Sequence, residues 1–143
     1  MSGPLIAALV CTIALLVVTA YFVMGSIPLL ILRHDTPMDA WFVRRFFQIY
    51  YQAAFAVAAA TTLSYGLALR PLQSAGAAVI TALVVALRRT MLPRMAQLGE
   101  KIQARDLAAI PGFRRAHVTA ILINLAQLVA IVWSLTATFG RRG

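Results

Sequence analysis

"PLIAALVCTIALLVVTAYFVMGSIPLLIL", residues 4–32, contains no charged side chain. About 20 apolar residues in helical form cross the hydrocarbon core of a bilayer. The run therefore predicts a membrane-crossing helix rather than a buried helix of a water-soluble domain. A secretory signal would carry basic residues ahead of a shorter apolar core. Here the first basic residue is Arg33, behind the run, so the segment is expected to persist as a first span. Composition agrees: the 143 residues are 62% hydrophobic and 12% charged, about half the charged share of a soluble domain.

Outward from this run, "HDTPMDAW" (34–41) breaks the apolar sequence. Thr36 can cap the next helix, Pro37 suits its first turn, and Asp39 stands where a carboxylate helps the free N–H groups. A second helix is expected from Pro37 to about Leu69, with 42–69 in the membrane. "LRPLQSAG" (69–76) then offers Pro71 and Gly76 as breakers. A third span follows over 72–89. Past it, Met91, Met95, Leu98 and Ile102 recur at helical spacing while Arg94, Lys101 and Arg105 face elsewhere. The third helix is therefore expected to continue past the membrane surface as an amphipathic extension kinked at Pro93, within a cytoplasmic hairpin over 89–112 that turns at "AAIPG" (108–112). The fourth span is expected over 114–139. The fold class is thus all-α: a polytopic membrane protein, one transmembrane domain over 1–143, built as an antiparallel four-transmembrane-helix bundle with a cytoplasmic amphipathic helical extension.

The net charge of +9 sits between the apolar runs, where basic residues set topology and meet anionic headgroups. Nucleic acid is not an expected partner; the lipid bilayer is. The first and third connections hold Arg33, Arg44, Arg45, Arg88, Arg89, Arg94, Lys101, Arg105, Arg114 and Arg115, against Arg70, Arg141 and Arg142 on the other side. Ten against three places both basic connections in the cytoplasm and both termini outside. Arginine supplies twelve of the thirteen basic residues beside abundant alanine, a bias of GC-rich bacterial genomes, so the expected location is the bacterial inner membrane. The single cysteine, Cys11, permits no disulfide within the chain.

Polar residues inside the spans carry what the sequence says about function. His117 and Asn124 lie about 20° apart on an ideal helix, near Phe113 and Ile121, and Gln127 and Ser134 continue that stripe. Gln48, Tyr51, Phe55, Thr62 and Tyr65 form a matching stripe on the second helix. An unpaired polar group in hydrocarbon costs several kcal/mol, so the second and fourth helices are expected to share an interior. Asn and Gln within spans commonly fix packing by interhelical hydrogen bonds.

His34 and His117 both fall near the cytoplasmic face, and the first and fourth helices of an antiparallel bundle can be neighbours. Two neutral imidazoles there could hold haem b or another transition metal, although His34 beside Asp35 can equally be a solvated loop residue. No CxxC, HExxH or His-rich run marks a metal centre. No nucleophile elbow, P-loop or carboxylate pair marks an enzyme, so no catalytic residue is assigned.

"LPRMAQLGEKIQARD" (92–106) followed by "FRRAHVTAILINLAQL" (113–128) resembles a family of small, uncharacterised four-helix membrane proteins. The family includes bacterial inner-membrane proteins and the animal protein called transmembrane protein 205. Members share a Pro- and Met-containing amphipathic stretch, then a Phe-x3-His step and an Asn one heptad on, positions held here by Phe113, His117 and Asn124. Members usually have glycine after the histidine; this chain has Val118. The resemblance implies the four-helix fold and no particular reaction.

Three function classes follow. The first is a non-catalytic subunit or scaffold that forms a homo-oligomer or joins a larger membrane complex. It would pack through the alanines of the second helix (Ala53, Ala54, Ala56, Ala58, Ala59, Ala60). The second is a haem- or metal-binding redox protein using His34 and His117. The third is a small oxidoreductase or transporter with a polar interior, its mouth formed by His34, Asp35, Asp39, Arg44, Arg45, Tyr51 and His117.

Overall fold

The computed structural model describes residues 2–140, with side chains through Ala137. Arg141 and Arg142, which entered the charge count, and the Phe139 side chain lie outside the described residues. Among those described, all regular structure is helical: α1 Gly3–Leu29, α2 Pro37–Leu67, α3 Pro71–Gln103 and α4 Ala109–Gly140.

Helix boundaries follow from proline and from local capping. Thr36 has extended backbone and its hydroxyl accepts the Asp39 N–H at 3.2 Å, with Pro37 leading α2. The apolar run at 4–32 does not stay helical throughout. Pro28 lacks the N–H that would reach Met24, and the chain leaves α1 after Leu29 through tighter turns (Leu30 N–H to Ile27 O, Ile31 N–H to Pro28 O). "AAIPG" does not form the expected turn either. Asp106 Oδ1 accepts the Ala108 N–H at 3.1 Å, and α4 starts at Ala109 with Pro111 in its first turn, where no N–H partner is required.

Three helices, α1, α3 and α4, are long and apolar enough to cross a membrane. Four were expected. At 31 residues α2 has the length, but its glutamines, threonines and tyrosines dilute its apolar character. The stretch after Arg89 continues α3 as the expected amphipathic extension, to Gln103. A single helix, α3, carries both the apolar stretch and the amphipathic one. Its 33 residues extend about 50 Å, well beyond a hydrocarbon core of about 30 Å. Within the amphipathic part Met95 and Ile102 are buried, Met91 and Leu98 half-buried, and Arg94, Lys101 and Arg105 exposed.

Buried positions alternate by three and four residues on three of the helices. On α1 they include Leu5, Ala8, Thr12, Leu15, Thr19, Phe22 and Ser26. On α2 they include Phe47, Tyr51, Ala54, Ala58, Thr61 and Tyr65. On α4 they include Phe113, His117, Ala120, Asn124, Gln127 and Ile131. This spacing keeps one seam of each helix facing its neighbours. α1 packs against α2 and α4, and α3 packs against the same two. The largest apolar cluster, with Phe22, Phe47, Val84, Met95 and Phe113, lies toward the α1–α2 and α3–α4 connections. Phe22 and Tyr50 stack there with ring centres 3.9 Å apart.

Candidate functional site

His34 follows α1 on an irregular segment, yet it is fully buried, with 0% of its surface exposed. The solvated-loop reading of this residue is therefore overturned. Its backbone φ is 58°, a left-handed conformation that costs a residue with a Cβ roughly 1–2 kcal/mol. The other two such residues, Leu69 and Arg105, sit in closures after α2 and α3, where Arg70 N–H bonds Tyr65 O and Asp106 N–H bonds Lys101 O. His34 closes no helix in that way. Its strained backbone accompanies a ring that points into the protein.

The ring meets His117, which is also fully buried. His34 Nε2 and His117 Nδ1 are 3.4 Å apart, and the rings stand at 84° to one another. Phe113 packs against His34 and Phe47 against His117. The other ring nitrogens, His34 Nδ1 and His117 Nε2, have no hydrogen-bond partner. The backbone carbonyls of Leu32 and Ser26 stand near the two rings outside hydrogen-bonding geometry. Burial, and then the Arg114 guanidinium, push the His34 pKa below its ordinary 6.5, with Asp39 and Asp35 acting weakly in the opposite sense. Burial thus disfavours the charged form of His34.

Beyond the histidines a ladder of polar side chains continues between α1, α2 and α4. The Tyr50 hydroxyl donates to Asn124 Oδ1 at 2.5 Å, and Asn124 Nδ2 donates to the Ala120 carbonyl at 2.7 Å. Gln127 Nε2 donates to Thr19 Oγ1 at 3.3 Å. Farther along, the Thr12 hydroxyl donates to Ala8 O and lies 3.2 Å from the Tyr65 hydroxyl. Ser26 Oγ, the Tyr51 hydroxyl and Gln127 Oε1 are buried and unpartnered, Tyr51 standing near Asn124 without hydrogen-bonding it.

The structure thus brings His34, His117, Asn124, Gln127, Tyr51 and Tyr65 into one interior, and it separates the remainder. Gln48 is half-buried on the α2–α3 side and accepts from Arg45 at 3.0 Å. Thr62 also faces α3, 3.2 Å from Thr81 Oγ1. Phe55 and Ser134 are exposed. Of the expected mouth, His34, His117 and Tyr51 are buried together, while Asp35 and Arg45 are exposed and Arg44 lines a groove against α3. Arg88, Arg89, Arg94, Lys101, Arg105, Arg114 and Arg115 are exposed. Arg114 reaches the Leu30 carbonyl at 3.4 Å.

Sequence reasoning missed Tyr50, Thr12, Thr19 and Ser26. The signal was present: Thr12, Thr19 and Ser26 recur every seven residues, the interval that also separates His117 from Asn124.

Two axial imidazoles on a haem iron stand about 4 Å apart, two bonds of about 2 Å, with a porphyrin plane between them. At 3.4 Å the two nitrogens here leave no room for that plane, so the pair does not fit haem. The contact is within hydrogen-bonding distance, with donor and acceptor set by the tautomers of the two rings. Among the described residues no group of three His, Cys, Asp or Glu side chains converges, so a metal here would have two protein ligands. Comparison with known proteins adds no constraint: no family model matches, and neither the curated proteins nor the solved structures include a match.

Proposed function

We propose that the chain is a four-span membrane protein whose interior holds a late first-row transition-metal ion, of the zinc or copper class, between His34 and His117. The membrane reading is supported by α1, α3 and α4, and by the inverted character of α2. That helix buries Tyr50, Tyr51, Thr61 and Tyr65 and exposes Ile49, Leu63 and Leu67, the arrangement suited to a lipid surroundings. Four spans put the two basic connections on one side, in the cytoplasm of a bacterial cell, and both termini on the other.

The observation that carries the metal reading is the 3.4 Å separation of His34 Nε2 and His117 Nδ1. Two metal–nitrogen bonds of about 2.05 Å meeting across it make an angle of roughly 110°, the tetrahedral value. Ligation through these atoms fixes both tautomers and leaves an N–H on His34 Nδ1 and on His117 Nε2. A packing scaffold alone gives no reason to bury these unpaired nitrogens. Purified protein loaded with Co(II) is expected to show the visible absorption of a four-coordinate ion in about one-to-one ratio. The band is expected to vanish in His34→Ala and His117→Ala and to survive in Asn124→Leu. Wild-type protein that retains neither Co(II) nor Zn(II) would overturn the reading.

A second reading, association with other copies or a larger membrane complex, is favoured by α3. Only 17% of its most apolar stretch is buried, against 39% for α1, and Ala75, Ala78, Ala82 and Ala86 lie exposed along it. The alanines of α2 do not form the expected outward face, since Ala54 and Ala58 are buried inside. Small residues let spans approach closely. With Cys11→Ser as background, Ala82→Cys is expected to form a disulfide-linked dimer in the membrane; a chain that stays monomeric under oxidation would remove this reading.

A further inference from the structure

Between α2 and α3 runs a groove of about 630 Å³ lined by Arg44 and Gln48 of α2 and by Arg88 and Arg89 of α3, with Phe55 and Val85 farther along its apolar wall. Among the described residues none of these three arginines forms an ion pair or a hydrogen bond, while Arg45 is engaged by Gln48. No acidic residue lines the groove. Three guanidiniums thus share the groove with apolar side chains: Leu92, Pro93 and Ala96 on α3 beyond Arg89, and Phe55 and Val85 along the rest of its wall. Phe55 lies eleven residues beyond Arg44 on the same helix, about 16 Å along its axis. Both sides of the cleft run from the basic connections toward the apolar stretch of α3.

A groove that combines three cations with aromatic and aliphatic side chains and no acid fits an anionic amphiphile. We infer that it is a binding site for one anionic phospholipid of the cytoplasmic leaflet. The phosphate is held by Arg44, Arg88 and Arg89, and an acyl chain lies along Phe55 and Val85. Guanidinium groups bind phosphate oxygens through paired, charge-assisted hydrogen bonds. A zwitterionic lipid brings its own ammonium against the same three cations and loses that advantage. The free Gln48 amide can donate to the same headgroup. The site is separate from the histidine pair and bridges the two helices that meet most extensively, α2 and α3. An occupant should therefore tie them together. The inference rests on the four-span reading but not on the metal.

The test uses delipidated full-length protein in mild detergent. It compares phosphatidylglycerol, phosphatidylcholine and inorganic phosphate by native mass spectrometry and by thermal unfolding. Phosphatidylglycerol is expected to bind one-to-one and raise the unfolding temperature, less so at high salt; phosphatidylcholine and inorganic phosphate are not. The double variant Arg88→Gln/Arg89→Gln should bind roughly ten-fold or more weakly, and Arg115→Gln, outside the groove, should bind as wild type. Val85→Trp, which fills the apolar wall and keeps every charge, should also weaken binding. Equal binding of the two lipids, equal losses in the groove and control variants, or stabilisation by phosphate alone would each overturn the proposal. Each variant is first extracted from the membrane fraction. Absence of lipid selectivity in membrane-resident wild-type protein then counts against this site and not against the spans.

Discussion

At the scale of single residues, two buried features make separable demands. Asn124 uses Oδ1 to accept from Tyr50 and Nδ2 to donate to Ala120. Tyr50→Phe removes the donor and leaves Oδ1 buried and unpaired, a cost of about 1–2 kcal/mol. Asn124→Leu in the same protein removes the stranded acceptor, so the double variant should be more stable than the two single losses added together. Thermal or denaturant unfolding in detergent reads this directly, and simple additivity would show that the bond contributes nothing of its own. His34 makes a backbone demand, because its φ of 58° disfavours any residue with a Cβ. His34→Ala and His34→Gly both delete the ring, but glycine relieves the strain. The glycine variant is expected to unfold later than the alanine variant, by about 1 kcal/mol. An alanine variant of equal or greater stability would show that residue 34 does not adopt the left-handed conformation.

At the scale of elements, boundaries set by local chemistry were legible and those set by packing were not. Thr36, Pro37 and Asp39 mark the start of α2 because capping needs only neighbouring residues, and the structure places the cap there. Thr36→Ala is accordingly expected to cost about 0.5–2 kcal/mol, with Thr36→Ser near wild type in the same unfolding measurement; equal losses would deny the cap its role. The end of α1 was misjudged for a different reason. Hydrophobicity continues past Leu29 to Leu32 and says nothing of the missing Pro28 N–H. The continuation of α3 past Arg89 was legible, because Met91, Met95, Leu98 and Ile102 keep the helical spacing that the structure retains to Gln103. Within α4 the interior face was readable, since Phe113, His117, Asn124 and Gln127 share it and all are buried. On α2 the choice of Gln48 put the stripe out of phase. Anchoring on amide side chains favoured a residue that faces α3, while the aromatic Tyr50, which reads as plain core, makes the bond to Asn124. That His34 is buried was not legible at all, because a left-handed backbone in a short connection carries no periodic signal.

At the scale of the whole molecule, the open question is whether α2 crosses the membrane, and physical reasoning gives a definite expectation. Thirty-one residues extend about 46 Å, more than the hydrocarbon core needs. If α2 lay outside the bilayer, the strongly exposed Leu63, Leu67 and Ile49 would face water, while its tyrosines filled the interior. A span reverses that cost, because lipid covers the leucines and the hydroxyls find α1 and α4. The alternatives differ in where the α2–α3 connection sits. Met38, Leu69 and Leu107 are exposed near the three connections, so each can be changed to cysteine singly on a Cys11→Ser background. If α2 spans, Leu69→Cys reacts with an impermeant maleimide in intact cells whose outer membrane has been opened. Met38→Cys and Leu107→Cys then react only after the inner membrane is breached, as the ten-to-three distribution of basic residues requires. If α2 does not span, Met38→Cys and Leu69→Cys become reactive together, and the histidine pair can no longer belong to a four-span interior.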